Sequence, residues 1–142
     1  MSKIIYIFSY LTILIALGLM FLAGFWLLYP YKVVEFKNSP YPIMNENKTV
    51  KKGEDLIYQV DACKYLNAVP DLTRFFIDGI IYETPKSVGA VEMGCHIQDI
   101  SITVPKAIPT GVYKMKFIAR YKVNPIRVIE YVNYSQSFMV IN

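Results

Sequence analysis

The stretch VEMGCHIQDI, residues 91–100, sets the chain's only histidine, His96, directly after Cys95, one of its two cysteines. A thiol beside an imidazole suits nucleophilic catalysis, with the ring as base. Both side chains also ligate zinc. The second cysteine, Cys63, sits in DACKY. A structural zinc needs about four N or S ligands. Two Cys and one His fall short, no CxxC is present, and a carboxylate such as Glu92 or Asp99 would have to complete the set. On a strand, successive residues point to opposite faces, so Cys95 and His96 would face apart, which disfavours a thiolate–imidazole pair. The remaining reading is a Cys63–Cys95 disulfide. Closing a loop of about 33 residues is worth roughly 3.7 kcal/mol in the chain-entropy account. That reading requires an oxidising compartment. In a reduced one, a reactive or metal-binding role for Cys63, Cys95 and His96 stays open.

Which compartment holds these residues depends on the N-terminus. No charged residue occurs from Ile4 to Tyr31. Residues 4–28 are about 37 Å long as a helix, more than enough to cross a bilayer. Lys3 closes one end, and Pro30 and Lys32 the other. Trp26, Tyr29 and Tyr31 gather at the second end, where an aromatic belt lies. A cleaved secretory signal is the competing reading, supported by Lys3 and the small residues Ala16 and Gly18. The apolar run continues well past Gly18, beyond a signal's ordinary 7–15 residues. The expected organisation is therefore an N-terminal transmembrane anchor over 1–31 and a domain over 32–142, with the bilayer as partner of residues 4–28.

Orientation is contested within the sequence itself. Lys32, Lys37, Lys48, Lys51 and Lys52 follow the helix, which by the positive-inside rule favours a cytoplasmic domain. Long domains translocate largely regardless of charge, and a short N-terminal tail ordinarily stays inside. The expectation is a single-pass protein with a cytoplasmic N-terminus and a periplasmic or extracellular C-terminal domain.

That domain carries all eleven acidic and fourteen of the fifteen basic residues, a mild net charge of +3. The bases are scattered, which argues against a nucleic-acid partner. After Lys32 no stretch keeps a helical period for three turns. Short runs rich in β-formers alternate with Pro, Gly and Asn turns. In DLIYQVDACKY, Leu56, Tyr58, Val60 and Ala62 alternate with Ile57, Gln59, Asp61 and Cys63. In VYKMKFIARY, Tyr113, Met115, Phe117, Ala119 and Tyr121 share one face. Asp78-Gly79, between TRFFI and IIYE, predicts a two-residue hairpin turn with both residues at positive φ. The runs YKVVEFKN, CHIQDISITV and IRVIEYVNYSQSFMVI bring the total to about seven strands. The predicted fold is all-β, an immunoglobulin-like β-sandwich preceded by one transmembrane helix.

The stretch PTGVY, a turn leading into a strand with Tyr113 second, resembles the tyrosine corner of immunoglobulin-like domains. The domain has no tryptophan, so the Cys-Trp-Cys signature of antibody domains is missing. The layout, with YPYK ending the anchor and DACKY and YKVNPIRVIEY in the domain, resembles small phage-encoded single-pass membrane proteins carrying an immunoglobulin-like sandwich. That resemblance implies a phage or cell-envelope setting and brings no catalytic residues with it.

NKT at Asn47 and NYS at Asn133 have the form of glycosylation sequons. No Walker loop, GxGxxG, GxSxG or HExxH occurs, so no catalytic residue, metal or cofactor is expected and the chain is read as a non-enzyme. The long connections KNSPYPIMNENKT, KYLNAVPDLT and YETPKSVGAVEMG mix aromatics with Pro and Asn. Loops on a rigid scaffold are where a binding surface is expected. Tyr41, Tyr65, Leu66 and Tyr82 are the candidate contacts for a protein or glycan partner. The expected function is a membrane-anchored binding or assembly module. The alternative is a small structural subunit of a membrane complex, held mainly through its helix.

Overall fold

The computed structural model describes residues 2–84 and 91–142. Residues 85–90, in the YETPKSVGAVEMG connection, lie outside the described residues. The chain divides into two compact units, residues 1–31 with 124–127, and residues 32–123 with 128–142.

The first unit is built on one helix, α1 (Ser2–Leu28). Its span Ile5–Leu28 is 24 residues long, its most apolar 18 residues have mean hydropathy 2.5, and it is long and apolar enough to cross a membrane. Its apolar side chains point outward on every side, with Phe21 80% and Leu28 83% exposed. A helix apolar all round has no polar face to offer water. Within this unit, the carbonyls at the helix end, which lack intrahelical donors, find partners. Asn124 Nδ2 donates to the Trp26 carbonyl at 2.9 Å, and the Arg127 guanidinium donates to that of Leu27 at 2.7 Å.

The second unit is two β-sheets with a shared core. Its strands are β1 (Val34–Phe36), β2 (Thr49–Lys51), β3 (Asp55–Lys64), β4 (Asp71–Ile77), β5 (Ile81–Glu83), β6 (Gly94–Thr103), β7 (Gly111–Asn124), β8 (Arg127–Tyr134) and β9 (Phe138–Ile141). One sheet has the order β1-β3-β6. The other has the order β2-β9-β7-β4-β5, with β8 also on β7. The predicted alternation holds along β7 and along β3 as far as Ala62, after which Cys63 and Lys64 are buried too, against the half-exposed place expected for Cys63. Leu56, Tyr58, Val60 and Ala62 of β3 face Tyr113, Met115, Phe117, Ala119 and Tyr121 of β7, all buried. The sheets touch through rings: Phe36 and Tyr41 each stand edge-on to Phe117, with centroids 6.3 and 5.9 Å away. Arg74 Nε of β4 donates to the Tyr58 hydroxyl of β3 at 3.0 Å inside this core. The Tyr113 hydroxyl donates to the Pro109 carbonyl at 2.9 Å, the bond a tyrosine corner makes.

Three details depart from the sequence reading. Among the described residues nine strands form rather than about seven. Thr49–Lys51 pairs in parallel with β9, and the last run breaks into β8 and β9. The Asp78-Gly79 turn spans three residues, because Ile77 pairs with Ile81, and only Gly79 of the two takes positive φ (110°). The Asp78 side chain accepts from the Ile80 N–H at 3.2 Å, so the aspartate shapes the turn through its carboxylate.

The segment 37–45 is a seam, not a free loop. Lys37 N–H bonds the Asp61 carbonyl, Gln59 N–H the Pro42 carbonyl, and Met44 N–H the Ile57 carbonyl. Where the backbone detours, two asparagines replace it. Asn38 donates to the Gln59 carbonyl at 3.0 Å and accepts from Asp61 N–H at 2.8 Å. Asn45 does the same for Asp55 and Ile57 at 2.9 and 2.7 Å. The edge of β3 is thus satisfied along its length. At Tyr41 the chain also bonds the other sheet, through the Tyr134 carbonyl and the Gln136 N–H, both at 2.8 Å.

Candidate functional site

Cys63 and Cys95 lie directly opposite each other on the neighbouring antiparallel strands β3 and β6, and they form a disulfide. The bridge joins two strands of one sheet and does not cross to the other. His96 is the next residue of β6 and sits opposite Ala62. Its Nε2 is 2.8 Å from the Met93 carbonyl oxygen, which makes that nitrogen the donor. The histidine therefore closes the turn that enters β6. With both sulfurs in the bridge, no thiolate remains for the imidazole to activate. Among the described residues, no group of three His, Cys, Asp or Glu is placed to hold a metal ion.

The four candidate contacts do not converge. Tyr41 is fully buried, with its ring among those of Phe36, Tyr58 and Phe117. The expectation that Tyr41 offers a contact surface is corrected here, because the seam that carries it turns its side chain into the core. Its hydroxyl has no hydrogen bond of good geometry among the described residues. Burial first, then the neighbouring Tyr58, pushes its pKa well above the ordinary tyrosine value, with the Asn133 side chain opposing.

Tyr65 and Leu66 follow β3 at the end of the sandwich where residues 32–34 enter. Tyr65 is half-exposed, and its hydroxyl donates to Glu35 at 2.9 Å. Lys32 pairs with the same carboxylate at 2.9 Å and stands 4.5 Å over the Tyr65 ring. Hydrogen bonds from Lys32 first and Tyr65 second hold the Glu35 carboxyl below its usual range. Tyr82 lies on β5, opposite Phe76, near the other end of the sandwich, with its ring 6.1 Å from that of Tyr113. Tyr65 thus joins Lys32 and Glu35 in a small cluster that Leu66 merely follows in sequence, and Tyr82 is not part of it.

A different concavity forms where β8 gives way to β9. Inward-facing residues are odd-numbered up to Ser135 and even-numbered from Phe138. One extra residue shifts the alternation, which is the effect of a bulge. Ser135 is buried there, accepting from Met115 N–H at 2.9 Å and donating to the Gln136 carbonyl at 2.7 Å. Around this break lies a groove of about 550 Å³ lined by Pro40, Lys114, Tyr134, Ser135, Gln136 and Ser137. A second depression of about 230 Å³ shares Ser137 and continues along β9, lined by Asn47, Lys48, Val112, Phe138 and Met139. The sequence carried one trace of it, the polar run YSQS inside an otherwise alternating strand.

No protein-family model matches the chain, and no curated protein matches it. A solved structure, that of a Niemann-Pick type C2 protein from Japanese carpenter ant, aligns with a TM-score of 0.45 at 10% sequence identity. The alignment covers 78% of this chain and 100% of that one.

Proposed function

We propose that this chain is a single-pass membrane protein whose immunoglobulin-like sandwich is exported and serves as a non-enzymatic binding or assembly module of a cell or phage envelope. The observation that carries the reading is the Cys63–Cys95 bridge, in the same chain as an uncharged 24-residue apolar helix span. Disulfides persist in oxidising compartments. A helix of that length and composition is retained by a bilayer. The strand order supports the immunoglobulin-like reading, because the first strand region leaves one sheet after Phe36 and joins the other at Tyr41 and β2. The tyrosine-corner bond at Tyr113 supports it as well.

The test is a thiol count on alkali-washed membranes, made with and without reductant, together with protease added to intact cells. Retention of the chain, no free thiol before reduction and cleavage from outside are expected. Release by alkali overturns the anchor. Two free thiols and a protected domain overturn the export. A second reading, a small subunit held through its helix, is favoured by one feature. Phe21, Gly24, Phe25, Leu28 and Tyr29 line a depression of about 410 Å³ on the helix. Small residues let membrane helices approach closely. Exchange of the helix for an unrelated apolar one then abolishes function, while loop substitutions leave it intact.

A further inference from the structure

From the trough along β9 we infer that the sandwich binds an acidic oligosaccharide, whose carboxylates meet Lys114 and Lys48. The inference rests on the reading of the domain as an exported binding module and names the class of its ligand. Three regions distant in sequence build the trough: the Pro40 seam with the nearby turn at Asn47 and Lys48, the start of β7, and the break between β8 and β9 with the strand that follows it.

Its chemistry is mixed in a specific way. Pro40 and the half-exposed Tyr134 ring supply flat apolar surface, suited to the C–H face of a sugar. Gln136, Ser137 and Asn47 supply side chains that both donate and accept, suited to hydroxyls. Lys114 stands in one depression and Lys48 in the other, and neither has an ion-pair partner among the described residues. Lys48 is also held at φ 53°, a left-handed conformation uncommon for lysine, so its turn is not at a backbone optimum.

That the two lysines line different depressions bears on the ligand class. A phosphate is met by clustered cations and the forked donors of arginine, and no arginine lines the trough. Single ammonium groups in adjoining depressions, with amides and hydroxyls around them, fit a chain whose carboxylates are spaced by neutral sugars. Both depressions are open and shallow, as suits a polymer passing along the surface and not a small molecule to be enclosed.

The experiment uses the full chain, oxidised, in nanodiscs of uncharged phosphatidylcholine. A hyaluronan tetrasaccharide is titrated by calorimetry, with chitotetraose as its uncharged counterpart. Saturable binding of the acidic tetrasaccharide is expected, at least tenfold tighter than that of chitotetraose and weaker at high salt. Lys114→Gln and Lys48→Gln each weaken it by about tenfold, the scale of one hydrogen bond to a charged group. Lys116→Gln, on the same strand but outside the trough, leaves it unchanged. Absence of saturable binding by folded, oxidised protein overturns the proposal. So does equal binding of the two tetrasaccharides, or indifference to both trough lysines. Membrane retention and protease accessibility of the same preparation report separately on anchoring and export, so a failure here does not count against those.

Discussion

Tyr41 and Tyr113 are both fully buried, yet their hydroxyls meet different surroundings, and removing each has a different consequence. The Tyr113 hydroxyl donates to the Pro109 carbonyl at 2.9 Å. A typical intramolecular hydrogen bond contributes about 1 kcal/mol net. Tyr113→Phe is therefore expected to lower unfolding stability by about that much. The Tyr41 hydroxyl has only the Asn133 side chain beside it, without a bond of good geometry, and a buried hydroxyl that lacks a well-made bond costs stability. Tyr41→Phe is expected to be neutral or stabilising by up to about 1 kcal/mol. Chemical denaturation of the disulfide-intact chain in detergent, followed by near-UV circular dichroism, compares the pair. Equal losses in both would show that the corner bond has no special weight. The cysteines give the larger effect at this scale. Replacing both Cys63 and Cys95 by alanine is expected to cost roughly 3–4 kcal/mol by release of the closed loop, and a loss under about 1 kcal/mol would place the bridge's role outside stability.

At the level of elements, the seam over residues 37–45 depends on side chains acting as backbone. Asn38 satisfies one carbonyl and one N–H of β3, both partly buried. Asn38→Ala leaves both without that partner, for an expected loss of about 1–2 kcal/mol. Hydrogen exchange at the Asp61 amide reads this directly, because that N–H gives its proton to the Asn38 side chain. Unchanged exchange at Asp61 would mean that water replaces the amide without cost. The sequence foretold β3 and β7 because alternation is a local property, carried by each residue's own type. It did not foretell β2, whose three residues are too few to alternate and whose parallel partner lies some ninety positions away. The cysteine pair was legible as a disulfide, but its place within one sheet follows from the β3–β6 register, which is tertiary. Tyr41 read as a loop aromatic because nothing local says that its loop crosses between sheets. The trough was the least legible feature, since the regions around residues 40–48, 112–114 and 134–139 meet only after the sheets have formed.

Across the whole molecule, the buried tyrosines make stability fall in alkali. Burial, with the Asp78 carboxylate beside it, pushes the Tyr113 hydroxyl from 10.0 up to about 12. Burial first and Tyr131 second push Tyr121 from 10.0 up to about 12. Tyr41 is also raised, and so is Tyr58, where the Arg74 guanidinium opposes the shift. Each folded-state value lies above the unfolded one, so the folded chain holds protons that the unfolded chain gives up. Stability is then fully present below pH 10 and falls as pH rises from 10 toward about 12, where tyrosines of the unfolded chain ionise first. Denaturant midpoints measured across that interval are expected to decline steadily, and Tyr121→Phe to flatten part of the slope. A flat profile would mean that the tyrosines ionise in place, without the desolvation their burial implies. The same titration bears on the membrane test, because alkaline extraction works within this interval. The sandwich loses stability there, but the apolar helix carries no charged residue between Ile4 and Leu28. Loosening of the domain and release of the helix from a membrane are thus separate events. With no free cysteine to attack it, the Cys63–Cys95 bridge has no thiol in its own chain with which to exchange. Thiols counted after the wash therefore report the state in which the cell left Cys63 and Cys95.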